Sequence, residues 1–509
     1  MSQRSADATA EHGAALARGA FFNTLAFLAS NLRGIFTLLV ARLLGGAALG
    51  TFGLAWAATD VVSKIATAGF DTTATALVAQ TDLAGGRRLM QVMLLISLGV
   101  SLLLALAALP VAMFLGPAAG LRPELARATG VLMLALPGIT LYRVSTALSR
   151  GRGMMHHDIY SRGFTESLGT TAALLVAIAA GASRLAPEIA AIVGTGAGGL
   201  VAFALARRLF STRAPADQSD PTVAALIRHS APVALYSLLN IAIMQIDLVM
   251  LGLYVGRAPG VTLETLGVYA GAVGIAGGLR KVNQAFTPIF TPVVAEQMGR
   301  GQIREAEVTY GYLARWMLAI LLPAVAVLGL SGEAIMSIFG PGFAAGGAWV
   351  AVLGAACALN AFVGLGELIL MVKRPALNLL NSSIAIAATI ALNMLLIPLL
   401  GPLGAAIGML APYALQGALR AVEITWLFEW RWPIRALTKP WIAASLAIVP
   451  ALAVRLGATS SMAGQVAAGI VYLLAYLAAW RLIGLDATDR AVFTHVLRRN
   501  ESSALLPQR

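Results

Sequence analysis

Apolar segments of about twenty residues recur along this chain with only short polar connections between them, and that recurrence decides which solvent the chain folds in. In lipid every backbone N–H and C=O must be satisfied within the protein, so such segments fold as helices. The chain has 509 residues, of which 59% are hydrophobic and only 12% charged, and its mean hydropathy is +0.81. A soluble domain carries about 25% charged residues, so most of this surface does not face water. The predicted fold class is an all-α polytopic membrane protein of about 14 transmembrane helices, set near 20–43, 51–78, 89–115, 128–149, 162–182, 188–207, 231–253, 265–293, 310–330, 347–371, 377–399, 404–428, 440–456 and 464–484.

A net charge of +13 invites a nucleic-acid reading, but the arrangement of the charge excludes it. Alternate connections carry the arginines: Arg87 and Arg88; Arg150, Arg152 and Arg162; Arg207, Arg208, Arg213 and Arg228; Arg300, Arg304 and Arg315; Lys373 and Arg374; Arg431, Arg435 and Lys439. With the termini these hold 24 of the 36 Lys+Arg, against 6 in the other connections. By the positive-inside rule both termini are expected in the cytoplasm. Met1–Ala17 lacks the form of a cleavable signal peptide. The single cysteine, Cys357, lies in an apolar helix and reads as a small hydrophobe. His156-His157 has no Cys or acidic cluster beside it, and the Gly194–Gly199 run is not followed by Lys-Ser/Thr. No metal, cofactor, ATP site or catalytic residue is therefore expected, and the chain reads as a non-enzyme.

Two stretches 217 residues apart share a sparse pattern. LGTFGLAWAATDVVSKIATAGFDTTATALVAQ (Leu49–Gln80) aligns without a gap on LGVYAGAVGIAGGLRKVNQAFTPIFTPVVAEQ (Leu266–Gln297), placing Gly50 on Gly267, Lys64 on Lys281 and Gln80 on Gln297. A shift of 210 extends the match back to Arg18 and Arg228, the difference being a seven-residue insertion around Ala258–Glu264. The expected organisation is a cytoplasmic N-terminus (1–19), a six-helix lobe (20–207), a polar cytoplasmic linker (208–228), a second six-helix lobe (229–428), an extra helix pair (429–485) and a cytoplasmic tail (486–509) with basic amphipathic character. Six is an even number, so the repeats are parallel and related by an axis along the membrane normal.

ARLLGGAALGTFGLAWA (Ala41–Ala57), and IRHSAPVALYSLLNIAIMQIDLVMLGLYVG with the block that follows it, resemble signature stretches of the polysaccharide-transporter branch of the multidrug/oligosaccharidyl-lipid/polysaccharide flippase superfamily. The resemblance covers roughly residues 15 to 430 in layout. It implies two six-helix lobes around a cavity open alternately to either side of the bacterial inner membrane. It also implies export of an undecaprenyl-pyrophosphate-linked saccharide for a surface polysaccharide, alongside polymerase and export machinery. The last helix pair resembles that of the 14-helix members.

The intramembrane charges carry the site reading. A lysine at mid-depth costs roughly 3 kcal/mol or more, and such residues turn to a wet cavity or to partners. Arg33, Lys64, Arg280 and Lys281 are the predicted cationic cavity, counter-charges for an anionic head group. On the second predicted helix Asp60, Lys64 and Asp71 fall at i, i+4 and i+11, one stripe on one face. Asp60, Asp71 and Asp247 are candidates for ion coupling or for pairing, with Asp60 to Lys64 and Arg420 to Glu423 the simplest pairs. Two rival readings need a different site chemistry. A multidrug exporter of the same superfamily favours acidic, aromatic cavities. A membrane glycosyltransferase, polymerase or ligase needs acids on a large outer loop, whereas these loops offer only single acids, Glu124, Glu188, Glu264 and Glu333.

Overall fold

The computed structural model describes residues 2–81, 83–181, 184–210, 223–432, 434–457 and 461–484, with side chains described from residue 32 onward except at 83–84, 285, 288–292, 372–373, 375, 435–436 and 484. Much of the 208–228 linker and the 486–509 tail lie outside the described residues. Helices follow the apolar runs: α1 (Ser2–Ala66), α2 (Phe70–Ala79), α3 (Leu83–Ala118), α4 (Pro123–Leu132), α5 (Leu136–Gly151) and the single turn α6 (His156–Asp158). A π-helical segment, Ile159–Glu166, then leads into α7 (Ser167–Ala179), followed by α8 (Ala186–Leu209). The second half holds α9 (Val223–Leu253), α10 (Leu263–Ala276), α11 (Arg280–Gly299), α12 (Ile303–Met336), α13 (Gly347–Lys373), α14 (Pro375–Leu400) and α15 (Pro402–Phe428). A last pair, α16 (Ile434–Gly457) and α17 (Met462–Ala479), closes the described chain.

Each expected segment has a helical counterpart. Among the described residues ten helices are long and apolar enough to cross a membrane. Their outward faces are bare hydrocarbon: Leu103 is 68% and Phe114 81% exposed on α3. That surface is stable only against lipid. The protein is an all-α polytopic membrane protein.

Of two breaks along α1 and α2, one falls where a connection is expected and the other inside an expected helix. The connection expected between residues 43 and 51 is a tight reversal at Gly45 (φ 87, ψ 177), so the long helical run α1 is two helices that fold back on each other, with the Phe36 and Phe52 rings 5.1 Å apart. The second expected helix does not run unbroken from 51 to 78. Ala68 (φ 50) and Gly69 (φ 81) are left-handed and end α1 at Ala66. Asp71 consequently sits at the start of α2, off the stripe that an unbroken helix would give it.

Within the first half, α5 and α7 pack on α8 and α3 packs on α4; within the second, α13 packs on α12 and α15, and α14 on α15. The glycine run 194–199 serves close approach, since a Cβ on Gly199 would lie 2.7 Å from the carbonyl oxygen of Gly138 on α5. The α16–α17 pair leans on α12, where the Ser331 hydroxyl donates to the Gln465 carbonyl (2.7 Å) and the Tyr476 hydroxyl to that of Ala319 (2.9 Å).

The two halves meet mainly through α1 against α9 and α10. At the end of the molecule bearing Gly46 and Leu263 this contact is backbone on backbone. A Cβ on Gly50 would lie 2.4 Å from the Leu263 oxygen and 2.6 Å from the Gly267 nitrogen, and one on Gly267 only 1.8 Å from the Gly46 oxygen. Gly50 and Gly267, which the sequence repeat aligns on each other, thus meet in this seal. Nearby, Arg42 Nε donates to the Ile338 carbonyl at 2.8 Å. At the opposite end the described contacts between the halves are few. They centre on Gly69, close to Ser230 and Ala234, and on the 2.9 Å hydrogen bond between the Thr73 and Ser230 hydroxyls. The halves thus meet backbone to backbone at the Gly46–Gly267 end.

Candidate functional site

Between the halves, the α1 wall carries Asp60, the junction of two polar systems. Its Oδ1 accepts from Arg143 Nη2 of α5 at 2.5 Å, and its Oδ2 accepts from Gln245 Nε2 of α9 at 2.9 Å. Arg143 Nη1 also donates to the Ser63 hydroxyl at 2.9 Å. Asp60 therefore ties α1 to α5 within its own half and to α9 in the other half. An Asp60–Lys64 pair does not form, since Arg143 reaches Asp60 from another helix. Lys64 instead pairs with Asp71, whose other oxygen accepts from Thr67 at 3.3 Å. The left-handed turn at Ala68-Gly69 produces this pairing by folding the start of α2 back toward Lys64. Arg420 likewise pairs with Glu367 at 3.0 Å rather than with Glu423, which accepts from Asn381.

Arg33 stacks its guanidinium 3.7 Å from the centre of the Trp56 ring and lies 3.7 Å from Glu166 Oε1. These residues, with Ser167, Thr170 and Thr195, line a recess in the first half. Glu166 closes the π-helical segment, in which the Thr165 hydroxyl bonds the carbonyl of Tyr160 (2.8 Å), five residues back. The wider turn shifts Glu166 out of α-helical register, and such segments gather at functional sites.

Of the four predicted cavity cations, Arg33 and Lys64 belong to one electrostatic neighbourhood. Arg33 is within range of Asp60 and Tyr142, and Asp71, which holds Lys64, is within range of Arg143. Arg162 joins this group beside Arg143 and Glu166, and lies within electrostatic range of Lys281 in the other half. Arg280 falls elsewhere. It is set among Asp247, Cys357 and Tyr413, with Nη1 buried and lacking a hydrogen-bond partner. Asp247, fully buried, has a partner the sequence did not reveal, the Tyr269 hydroxyl, which donates to Oδ2 at 2.6 Å. The repeat carried a signal for this pair. In the first half, Thr37 stands opposite Asp247 and Phe52 opposite Tyr269, so both polar partners occur only in the second half. Arg143 and Arg162 were missed as site residues, the first counted only as one more intramembrane charge and the second assigned to a basic connection.

The sequence pattern of the polysaccharide biosynthesis protein family matches residues 16–296. Among solved structures the fold is similar to a multidrug resistance MATE family transporter of the MOP superfamily in its inward-facing conformation, with 17% identity, 78% of this chain and 95% of that chain covered, and a TM-score of 0.64. It is equally similar to the lipid II flippase MurJ in an inward closed conformation, with 14% identity, 91% and 99% covered, and a TM-score of 0.64. A MOP superfamily transporter from Pyrococcus furiosus, described as having a binding pocket of reverse polarity, aligns at 16% identity over 79% and 93% with a TM-score of 0.55. At such identities the likeness is one of fold. No match is found among curated proteins.

Proposed function

Since this chain belongs to the polysaccharide biosynthesis protein family, we propose that it is a flippase carrying an undecaprenyl-pyrophosphate-linked saccharide from the cytoplasmic to the periplasmic leaflet of the bacterial inner membrane. Its product feeds a surface polysaccharide such as O-antigen, capsule or exopolysaccharide, made with polymerase and export machinery. Residues 20–207 and 229–428 act as lobes joined by the 208–228 linker, 429–485 is an appended helix pair, and both termini are cytoplasmic. The observation that carries the reading is the set of buried charges where the halves meet: Arg143 held on Asp60 at 2.5 Å, Asp60 reached from the other half by Gln245 at 2.9 Å, and Arg162 within electrostatic range of Lys281.

A lipid pyrophosphate carries about two negative charges, and at an effective dielectric of about 20 a cation 4 Å away offers it roughly 4 kcal/mol. The end sealed by Gly50 and Gly267 faces the periplasm, so the cavity receives its lipid from the cytoplasmic side. Parting the glycine seal while the other end closes delivers the lipid outward. The acids on the first lobe's wall, Asp60, Asp71 and Glu166, are each ion-paired.

The test is twofold. A deletion strain should accumulate one undecaprenyl-linked intermediate, identified by lipid mass spectrometry. Proteoliposomes holding that lipid should then flip it faster with an inside-negative potential, because one charge moved across 100 mV is worth about 2.3 kcal/mol. A deletion strain with an unchanged lipid profile would defeat the proposal. Flipping that is indifferent to potential would shift the coupling to an ion, with Asp247 the first residue to examine.

A further inference from the structure

The recess on the first half is built for something other than phosphate. Its charges cancel, because Arg33 is matched by Glu166 and covered on one face by Trp56. Glu166 is 4% exposed, and its second oxygen, Oε2, is buried without a hydrogen-bond partner. Leaving such an atom unmet costs on the order of 1–3 kcal/mol or more. The hydroxyls around it are committed elsewhere, Thr170 donating to the Glu166 carbonyl and Thr195 to that of Ala191, each at 2.7 Å. The recess therefore asks for a donor from outside. A phosphate, which only accepts, would meet a carboxylate there. An ammonium would meet the Arg33 guanidinium. A neutral hydroxyl suits both, and the recess, at about 10 Å³, holds no more than a single group of water size.

Resting on the flippase reading above, we propose that this recess is the saccharide subsite. A hydroxyl group of the lipid-linked sugar enters it and donates to Glu166 Oε2, and the sugar ring lies against the aromatic wall that includes Trp56. Pyrophosphate binding belongs to the cations between the halves, so head group and sugar are read by separate parts of one cavity. A site that hydrogen-bonds a substrate hydroxyl discriminates strongly against ligands that lack it, which gives the subsite a role in selecting cargo.

The experiment uses the full chain in detergent and three probes, namely a short prenyl pyrophosphate and the same molecule bearing a glucose or an N-acetylglucosamine, with affinities from calorimetry. For the natural protein at least one sugar-bearing probe should bind about tenfold more tightly than the bare one, the scale of one hydrogen bond to a charged group. In Glu166→Gln that increment should vanish, while the bare pyrophosphate binds as well as before or better, because Arg33 loses its counter-charge. Thr195→Val, which keeps shape and removes a hydroxyl that a sugar can donate to, should shrink the increment and leave bare binding unchanged. It also serves if Glu166→Gln folds poorly. An increment that survives both substitutions, or equal weakening of all probes, overturns the subsite. No increment for either sugar in the natural protein overturns it as well. Failure of the bare pyrophosphate to bind the natural protein at all overturns the flippase reading instead.

Discussion

Replacing Gly267 by alanine should pry the seal apart. The added Cβ would stand 1.8 Å from the Gly46 oxygen and 2.6 Å from its carbonyl carbon, both of them backbone, so no side chain can rotate away. Carbon–oxygen contact needs about 3 Å or more, and the two helices must separate locally by more than about 1 Å in an interior that packs like a crystal. Such overpacking costs roughly 1–3 kcal/mol. The helical preference for alanine over glycine returns about 1 kcal/mol, but it does so in every conformation of the lobes and leaves their balance untouched. The clash exists only while the seal is shut, so the balance moves toward the parted state by roughly 5–150-fold. Spin labels at Leu43 and Ile338, which are 53% and 52% exposed near the seal, would report the separation of the halves by pulsed electron resonance in a Cys357→Ala background. Gly274→Ala on the same helix is the control, since a Cβ there meets nothing within 4 Å. The variant should gain a longer-distance population that the control lacks. Identical distance distributions in the two proteins would refute the reasoning.

Three further outcomes are expected. Lys64→Ala should strand Asp71 and lower stability by about 3–5 kcal/mol, while Lys64→Ala with Asp71→Asn should regain most of the melting temperature; if the double variant also transports normally, Lys64 is no substrate ligand. Lys281→Ala should impair flipping at near-normal protein levels, with Lys281→Arg restoring part of it through charge with a different donor geometry, as measured in proteoliposomes. Tags after Arg213 and at the C-terminus should report cytoplasm and one near Pro259 the outside, and an outside signal at Arg213 would invert the assignment of the sealed end.

The helices were legible because a bilayer imposes their length and apolarity, and no tertiary knowledge is needed to see a run such as 89–115. The ion pairs were not legible, for a physical reason that differs from case to case. Lys64 chooses Asp71 over Asp60 because two left-handed residues, Ala68 and Gly69, redirect the chain between them. Asp60 is taken by Arg143 from a helix about eighty residues away, and sequence spacing carries no trace of that. Glu166 owes its position to a π-helical segment, which no apolar periodicity announces. Asp247 and Tyr269 were within reach, as a place where both partners break the repeat together.

The meeting of Gly50 with Gly267 has a consequence for descent. A residue that touches its own counterpart across a two-fold axis is the signature of an isologous interface, the kind identical subunits form. A half-length ancestor with six helices would have inserted in a single orientation and closed on a second copy of itself through that same glycine. Fusion of two such copies would leave each free to diverge, as where Asp247 and Tyr269 stand opposite Thr37 and Phe52.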